Sequence, residues 1–184
     1  MERIKLIINK IKNDTKTELP KDVEWKEFCL NEIFYIYGSK TTTKQKLEEI
    51  GSGDYPYITT QATNNGCFGC YNFWTEDGNC LTIDSAVLGS CFYQEKNFTA
   101  SDHVEILRPK YKNFNKNIGL FIKTIISKTT KNIYNYTNKF NQTKIKNTKI
   151  FLPSKNNEPD WEYMDKFIEN VQKAMNLDFS THTP

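Results

Sequence analysis

The chain of 184 residues is 38% hydrophobic and 14% aromatic, with a mean hydropathy of −0.67. That suits one domain with a sizeable core, and no apolar run approaches the roughly 18 residues that a transmembrane helix needs. The formal net charge of +3 hides an asymmetry, because from Arg108 to Lys155 there are twelve basic residues and no Asp or Glu. The rest of the chain is therefore net negative. A field of one sign over so long a segment repels itself unless a polyanion neutralises it, which points to a nucleic-acid surface. A codon bias toward Lys and Asn is the competing account, but bias would not strip every acid from one segment alone.

Taken in order, Ile4, Ile7, Ile8 and Ile11 recur at helical spacing, so residues 1–13 read as an amphipathic helix. It is dotted with lysines and does not read as a signal peptide. A polar linker containing Pro20 carries the chain to residue 23. Residues 24–155 have the pattern of one α+β domain, a twisted, mostly antiparallel β-sheet with packed helices. Its first strand is expected at residues 33–37, ending at Gly38. Residues 39–46 interleave Ser39, Thr41, Thr42, Thr43 and Gln45 with Lys40, Lys44 and Lys46. That is either a donor-rich binding loop or an ordinary solvated loop leading into a helix at residues 45–50.

Residues 55–107 organise the domain. Short β-branched and aromatic runs are separated by Asn64-Asn65-Gly66 and Asp77-Gly78-Asn79, which supply the positive φ angles of tight turns. Leu81 and Ile83 are expected on one face with Thr82 and Asp84 on the other. Val104 and Ile106 alternate in the same way with His103 and Glu105. Phe114, Ile118, Phe121, Ile122 and Ile125 then form the apolar stripe of a helix packed on the sheet.

Residues 131–149 lose all periodicity. Lysines alternate with Asn132, Tyr134, Tyr136, Asn138 and Phe140, a mixture suited to base contacts plus phosphate neutralisation. A buried strand with exposed lysines is the other account. Residues 149–153 read as a last strand stopped by Pro153. Residues 156–184 open with Asp160 as a helix cap, and Trp161, Met164, Ile168, Val171 and Met175 follow at 3-4-3-4 spacing. That seam spans about two heptads. It predicts either a C-terminal helix able to form a coiled coil, and so a subunit interface, or a helix docked on its own domain. The tail, residues 176–184, reads as frayed or as the end of an interrupted helix.

Reactive chemistry is poorly represented. Cys67 and Cys70, with Cys80 and Cys91 standing alone, do not make the second close pair of a structural zinc site, and no metal is expected. Five cysteines, an odd number, fit reduced thiols in a cytoplasm. The two histidines are His103 and His182. His103 follows Asp102, but as neighbours in a strand the two side chains would point to opposite faces. Gly51-Ser52-Gly53 lacks the Lys-Ser/Thr of a phosphate loop, and the Asn/Asp-Pro-Pro-aromatic signature of adenine methylation is absent. Pro159-Asp160 is followed by no Glu-x-Lys, which counts against a nuclease. No catalytic residue and no cofactor are predicted.

The chain resembles a target recognition domain from the specificity subunit of type I restriction–modification enzymes, in the variety also found in type IIB specificity proteins. The resemblance rests on Trp25 with Phe28-Cys29-Leu30-Asn31-Glu32-Ile33-Phe34, on Tyr55-Pro56-Tyr57-Ile58, and on Asn64-Asn65-Gly66. It continues through Gly78-Asn79-Cys80-Leu81-Thr82-Ile83-Asp84, Gly89-Ser90-Cys91-Phe92-Tyr93-Gln94-Glu95, Phe98, and Tyr134 and Tyr136 with Lys139. Ile150-Phe151-Leu152-Pro153 and Pro159-Asp160-Trp161-Glu162-Tyr163-Met164 complete it. It covers residues 24–175, and the order and spacing of these pieces carry it more than any one motif.

The resemblance implies a non-catalytic, cytoplasmic, double-stranded-DNA-binding protein that reads one half of a split target for methyltransferase and restriction subunits, with no membrane role. One recognition domain instead of two implies self-association, possible as a homodimer through the C-terminal helix, or a missing second domain. The family's usual glycine after the second tyrosine is replaced by Thr137. Carried onto this chain, Lys40, Lys44, Lys131, Lys139 and Lys144 would neutralise phosphates. Thr59, Thr60, Gln61, Asn64, Asn65, Asn132, Tyr134, Tyr136 and Asn138 would approach base edges or sugars, with Ser101 and His103 as further candidates. The alternative is a non-catalytic protein-interaction or masking module using the C-terminal helix and the aromatic sheet.

Overall fold

The first strand begins earlier than the sequence pattern suggests. In the computed structural model, which describes residues 23–86, 89–131, 133–135 and 137–180 (of residues 176–180 only the backbone), β1 is Glu24–Cys29. It is followed by the single helical turn α1, Leu30–Ile33, and then by β2, Phe34–Gly38. Ile33 therefore closes a turn instead of opening a strand. The Glu32 carboxylate accepts the Cys29 N–H at 2.7 Å, and Leu30 and Ile33, three apart, share one buried face. The N-terminal helix expected over residues 1–13 lies outside the described residues.

Beyond β2 come α2 (Lys44–Ile50), β3 (Ser52–Ile58), β4 (Cys67–Tyr71), β5 (Cys80–Asp84) and β6 (Cys91–Gln94). They are followed by β7 (Thr99–Ala100), β8 (Val104–Pro109), α3 (Lys116–Thr130), α4 (Gln142–Lys146), β9 (Lys149–Lys155), β10 (Glu158–Pro159) and α5 (Trp161–Ser180). The longer helices start where side chains can satisfy their free N–H groups. Asn115 Oδ1 accepts from Ile118 and Asp160 Oδ1 from Tyr163, each at 3.0 Å.

The strands form three small sheets instead of one, in the orders β1-β9-β10, β2-β8-β5-β6 and β4-β3-β7. Every ladder is antiparallel except β3–β7. Register shifts in the β3–β4 ladder bend that pair away from a continuous sheet. On β5 and β8 the expected alternation holds, but both faces are covered. Leu81, Ile83 and Leu107 enter the main core with Phe34, Phe121, Ile122 and Ile126, whereas Cys80, Val104 and Ile106 join Ile58, Phe98 and Ala100 on the other side. Thr82, on that second side, is satisfied by Gln94 Nε2 at 3.0 Å.

Phe114 lies just before α3, and Ile126 completes the helix's buried stripe. α5 lies on the chain's own domain. Trp161 stacks on Tyr111 with centroids 4.6 Å apart, Met164 is fully buried, Ile168 packs on the main core, and Phe167 meets Phe121 edge-on at 5.5 Å. Of the predicted seam, Val171 is half-buried and Met175 exposed. The first three members are thus occupied by intramolecular packing.

Candidate nucleic-acid interface

The antiparallel order β2-β8-β5-β6 brings the end of β2, the start of β8, the end of β5 and the start of β6 to one end of the domain. The neighbouring sheet adds the ends of β3 and β7 there. Ser101 N–H donates to the Ile58 carbonyl at 2.9 Å, and Ser39 N–H donates to the Val104 carbonyl at 2.9 Å. Residues 39–43, 59–66, 85–86, 89–90 and 101–103 therefore share one rim. Ser39 Oγ ties the first of them to the last, donating to the Ser101 carbonyl at 2.9 Å.

Part of the acid-free segment, from Lys131 to Gln142, joins this rim. Arg108, at the other end of β8, instead donates to the Asp77 and Gly78 carbonyls, and Lys116 and Lys149 pair with Glu95 and Glu27. Phe140 is fully buried, stacks on Tyr134 at 4.1 Å and packs closely against Gly89. Gln142 Nε2 donates to Glu105 Oε2 at 2.9 Å. The other carboxylate oxygen lies 3.3 Å from Ser85 Oγ, which also donates to the His103 carbonyl at 3.0 Å. A largely buried carboxylate thus holds Gln142 of the basic segment beside the loop that starts at Ser85, and the Gln142 amide donor offsets part of the cost of its burial. The described residues between 131 and 141 form turns and irregular chain, not the strand considered above.

The predicted residues fall into distinct situations on this rim. Lys40, Lys131 and Lys139 are exposed. Lys44 is drawn toward Glu48 Oε1 at 3.5 Å and lies 4.8 Å over Phe68. Lys144 Nζ donates to Asn138 Oδ1 at 2.6 Å and to the Lys139 carbonyl at 3.0 Å, 5.7 Å from the Tyr134 ring, so it braces its own loop. Gln61 Nε2 and Asn64 Nδ2 both donate to the Cys67 carbonyl, at 2.6 and 2.8 Å. Asn65 Nδ2 donates to the Tyr93 carbonyl and to Gln94 Oε1, at 3.0 and 3.1 Å. Asn64 and Asn65 adopt positive φ, 49° and 53°, so these amides shape the loop. Thr59 and Thr60 are half-buried at its base. Asn132 and Tyr136 lie outside the described residues.

His103 and Asp102 differ from the expectation. They occupy a turn, not a strand. With His103 at φ +59°, its Nε2 lies 3.5 Å from Asp102 Oδ2, both side chains exposed. Ser85 contacts the His103 backbone and not its ring, so this hydroxyl is not aligned with the imidazole. The cysteines are similarly quiet. Burial pushes the Cys80 and Cys91 thiols up to about 12, and among the described residues no cluster of three or more His, Cys, Asp or Glu could hold a metal.

A cleft of about 250 Å³ opens on the rim between Ala62, Gly89 to Phe92, and Lys123, Ser127, Thr130 and Lys131 of α3 and its end. The sequence reading passed over Lys123 and Ser127, because α3 was read for its apolar stripe alone. The signal was present: positions 123, 127, 130 and 131 recur at i, i+4, i+7 and i+8, a polar stripe on the flank of the same helix.

A family model described as the type I restriction modification DNA specificity domain matches residues 22–176. The type II restriction enzyme specificity subunit S.BcgI of Heyndrickxia coagulans is 32% identical over 166 residues, covering 85% of this chain and 46% of that protein. Among solved structures, the HsdS subunit from Thermoanaerobacter tengcongensis aligns with a TM-score of 0.59 at 12% identity, over 99% of this chain and 46% of that one. The type I restriction–modification S subunit from M. genitalium aligns at 0.55 and 15% identity, over 89% and 41%. At those identities the structures speak for the fold. The chain spans about half the length of the relatives it matches.

Proposed function

The chain belongs to the type I restriction–modification DNA specificity domain family, and from that premise we propose that it binds double-stranded DNA sequence-selectively. Its role is to direct methyltransferase and restriction subunits to one half of a split target, in the cytoplasm and without bond-making chemistry of its own. The observation that carries this reading is the convergence on one end of the domain of four loops and the lysine-bearing stretch from Lys131 to Gln142. Phosphate neutralisation and base access would then come from a single surface. Bracing of the loop amides from within suits readout by pre-shaped loops, because little ordering remains to be done on binding. No helix among the described residues is long and apolar enough to cross a membrane.

The protein-interaction alternative loses support from α5, since Trp161, Met164 and Ile168 face the chain's own core. Self-association through Val171 and Met175 remains part of the proposal only as a means of pairing two half-targets. A gel shift on random-sequence duplex with a salt titration tests the central reading. Binding that weakens linearly in log–log form as salt rises is expected. A chain that binds no duplex at low salt, yet captures a methyltransferase subunit, would favour the interaction module.

A further inference from the structure

The cleft between loop 59–66, the β5–β6 loop and the last two turns of α3 is a built site that the loop-based reading leaves unexplained. Its polar wall is made by Lys123, Ser127, Thr130 and Lys131 from α3, and its opposite wall by Ala62, Ser90 and Phe92. Neither Lys123 nor Lys131 makes an ion pair or hydrogen bond among the described residues. Counter-charge is also missing from the chain around them, which holds no acid from Arg108 to Lys155. Lys123 lies 5.8 Å over the Phe92 ring, which aims its ammonium group across the cleft without neutralising it. The dipole at the C-terminal end of α3 would repel an anion on its own. Lys128 and Lys131 in and after the last turn outweigh that partial charge.

A volume of about 250 Å³ is below the roughly 300–1,000 Å³ of sites that enclose a whole cofactor or metabolite. It suits a small anionic group presented from outside. We propose that this cleft seats one backbone phosphodiester of the bound duplex, held by the Lys123 and Lys131 ammonium groups and the Ser90 and Ser127 hydroxyls. The proposal rests on the DNA-binding reading and deepens it by naming a fixed contact. Ala62 in the opposite wall belongs to the loop carrying Thr59 to Asn65, so a phosphate held there would set the register of the bases against that loop. Such contacts orient a protein on its duplex without reading sequence themselves.

The test compares the full chain with Lys123→Gln, Lys123→Arg and Lys128→Gln on a random-sequence duplex across a salt series. Lys128 is exposed on the same helix and does not line the cleft, so its variant changes net charge by the same amount. Lys123→Gln is expected to flatten the log–log salt slope by about one and to weaken binding about fivefold near 0.15 M salt. Lys123→Arg should keep the wild-type slope, and Lys128→Gln should change it by much less than Lys123→Gln. Equal effects of the two glutamine variants, or none from Lys123→Gln, would overturn the seat while leaving DNA binding intact. A wild-type chain that binds no duplex would remove both readings. In a second arm, inorganic phosphate is titrated into the free chain at fixed ionic strength and followed through the amide signals of Ala62 and Ser90. Tight saturation there together with an unchanged Lys123→Gln duplex slope would reassign the cleft to a free phosphate and overturn the strand contact.

Discussion

Replacing Gly89 by Ala perturbs the junction between rim and basic segment without touching a charge. Gly89 sits at φ +69°, where an L side chain is strained by about 1–2 kcal/mol. A Cβ built there would lie 2.8 Å from Phe140 Cδ1 and 3.3 Å from Phe140 Cβ, closer than packed carbon atoms tolerate. Phe140 is fully buried beneath Tyr134 and has little room to yield, so overpacking adds about 1–3 kcal/mol. The combined loss of about 2–5 kcal/mol corresponds to a melting point lower by about 5–15 °C in a chain of this size, still short of unfolding it. Duplex affinity should fall as well, because relief of the clash moves Phe140 and with it the segment carrying Lys131 and Lys139. A double-mutant cycle with Phe140→Leu isolates the contact, since the smaller side chain should recover part of the loss in both melting and binding. Strict additivity of the two substitutions, or a Gly89→Ala chain that melts and binds as the wild type does, would refute the proposed junction.

Lys131→Ala combined with Lys139→Ala should reduce the salt slope on random duplex by about two, in a gel-shift titration. An unchanged slope would remove the basic segment from the contact surface. The buried Cys80 and Cys91 thiols make stability depend on alkaline pH. Because burial raises their pKa from 9 to about 12, the unfolded chain ionises first, so stability is intact below pH 9 and is lost as pH climbs from 9 toward 12. Urea melts at pH 8 and 10 measure this, and Cys91→Ala should shrink the difference. Asn170 on α5 is 1% exposed, and neither its Nδ2 nor its Oδ1 has a partner among the described residues. Asn170→Leu, which keeps the branched shape without the polar atoms, should stabilise the chain by about 1 kcal/mol once its larger methyl groups are accommodated, read as a higher melting temperature. A lower one would mean that the amide is satisfied in solution.

What the sequence discloses and what it withholds divide along the range of the forces involved. The α3 stripe, the Asp160 cap and the alternation on β5 and β8 are local patterns, and the structure has each of them. β1 has no strong pattern of its own, and its partner lies more than a hundred residues away, with Glu24 opposite Ser154. Pairing across that distance is decided by packing rather than by propensity. The α1 turn depends on one carboxylate reaching back three residues, and it is too short for periodicity to detect. The Asp102–His103 arrangement departs from the strand pattern for a related reason. Assigning both to a strand fixed their side chains on opposite faces, whereas a left-handed residue at His103 swings them together.

On the rim proposed to face DNA, residue type alone does not identify which atoms would read a base. Asn and Gln are favoured for base contacts because each offers a donor and an acceptor. They are favoured in tight loops because the same groups can satisfy a backbone that has no ladder to join. Here the donor ends of Gln61, Asn64 and Asn65 are engaged within the protein, and Asn138 donates to the Ile133 carbonyl at 2.9 Å. A base must then meet what these loops hold in place, their exposed backbone and the side chains they position, or displace an existing hydrogen bond. Displacing both amides that share the Cys67 carbonyl would leave it unpaired, at a cost of about 1–3 kcal/mol where water cannot replace them. Loop shape is therefore the cheaper determinant of selectivity on this rim. A substitution at Asn65 would act first by untying the loop from Tyr93 and Gln94, and only through that change on any base.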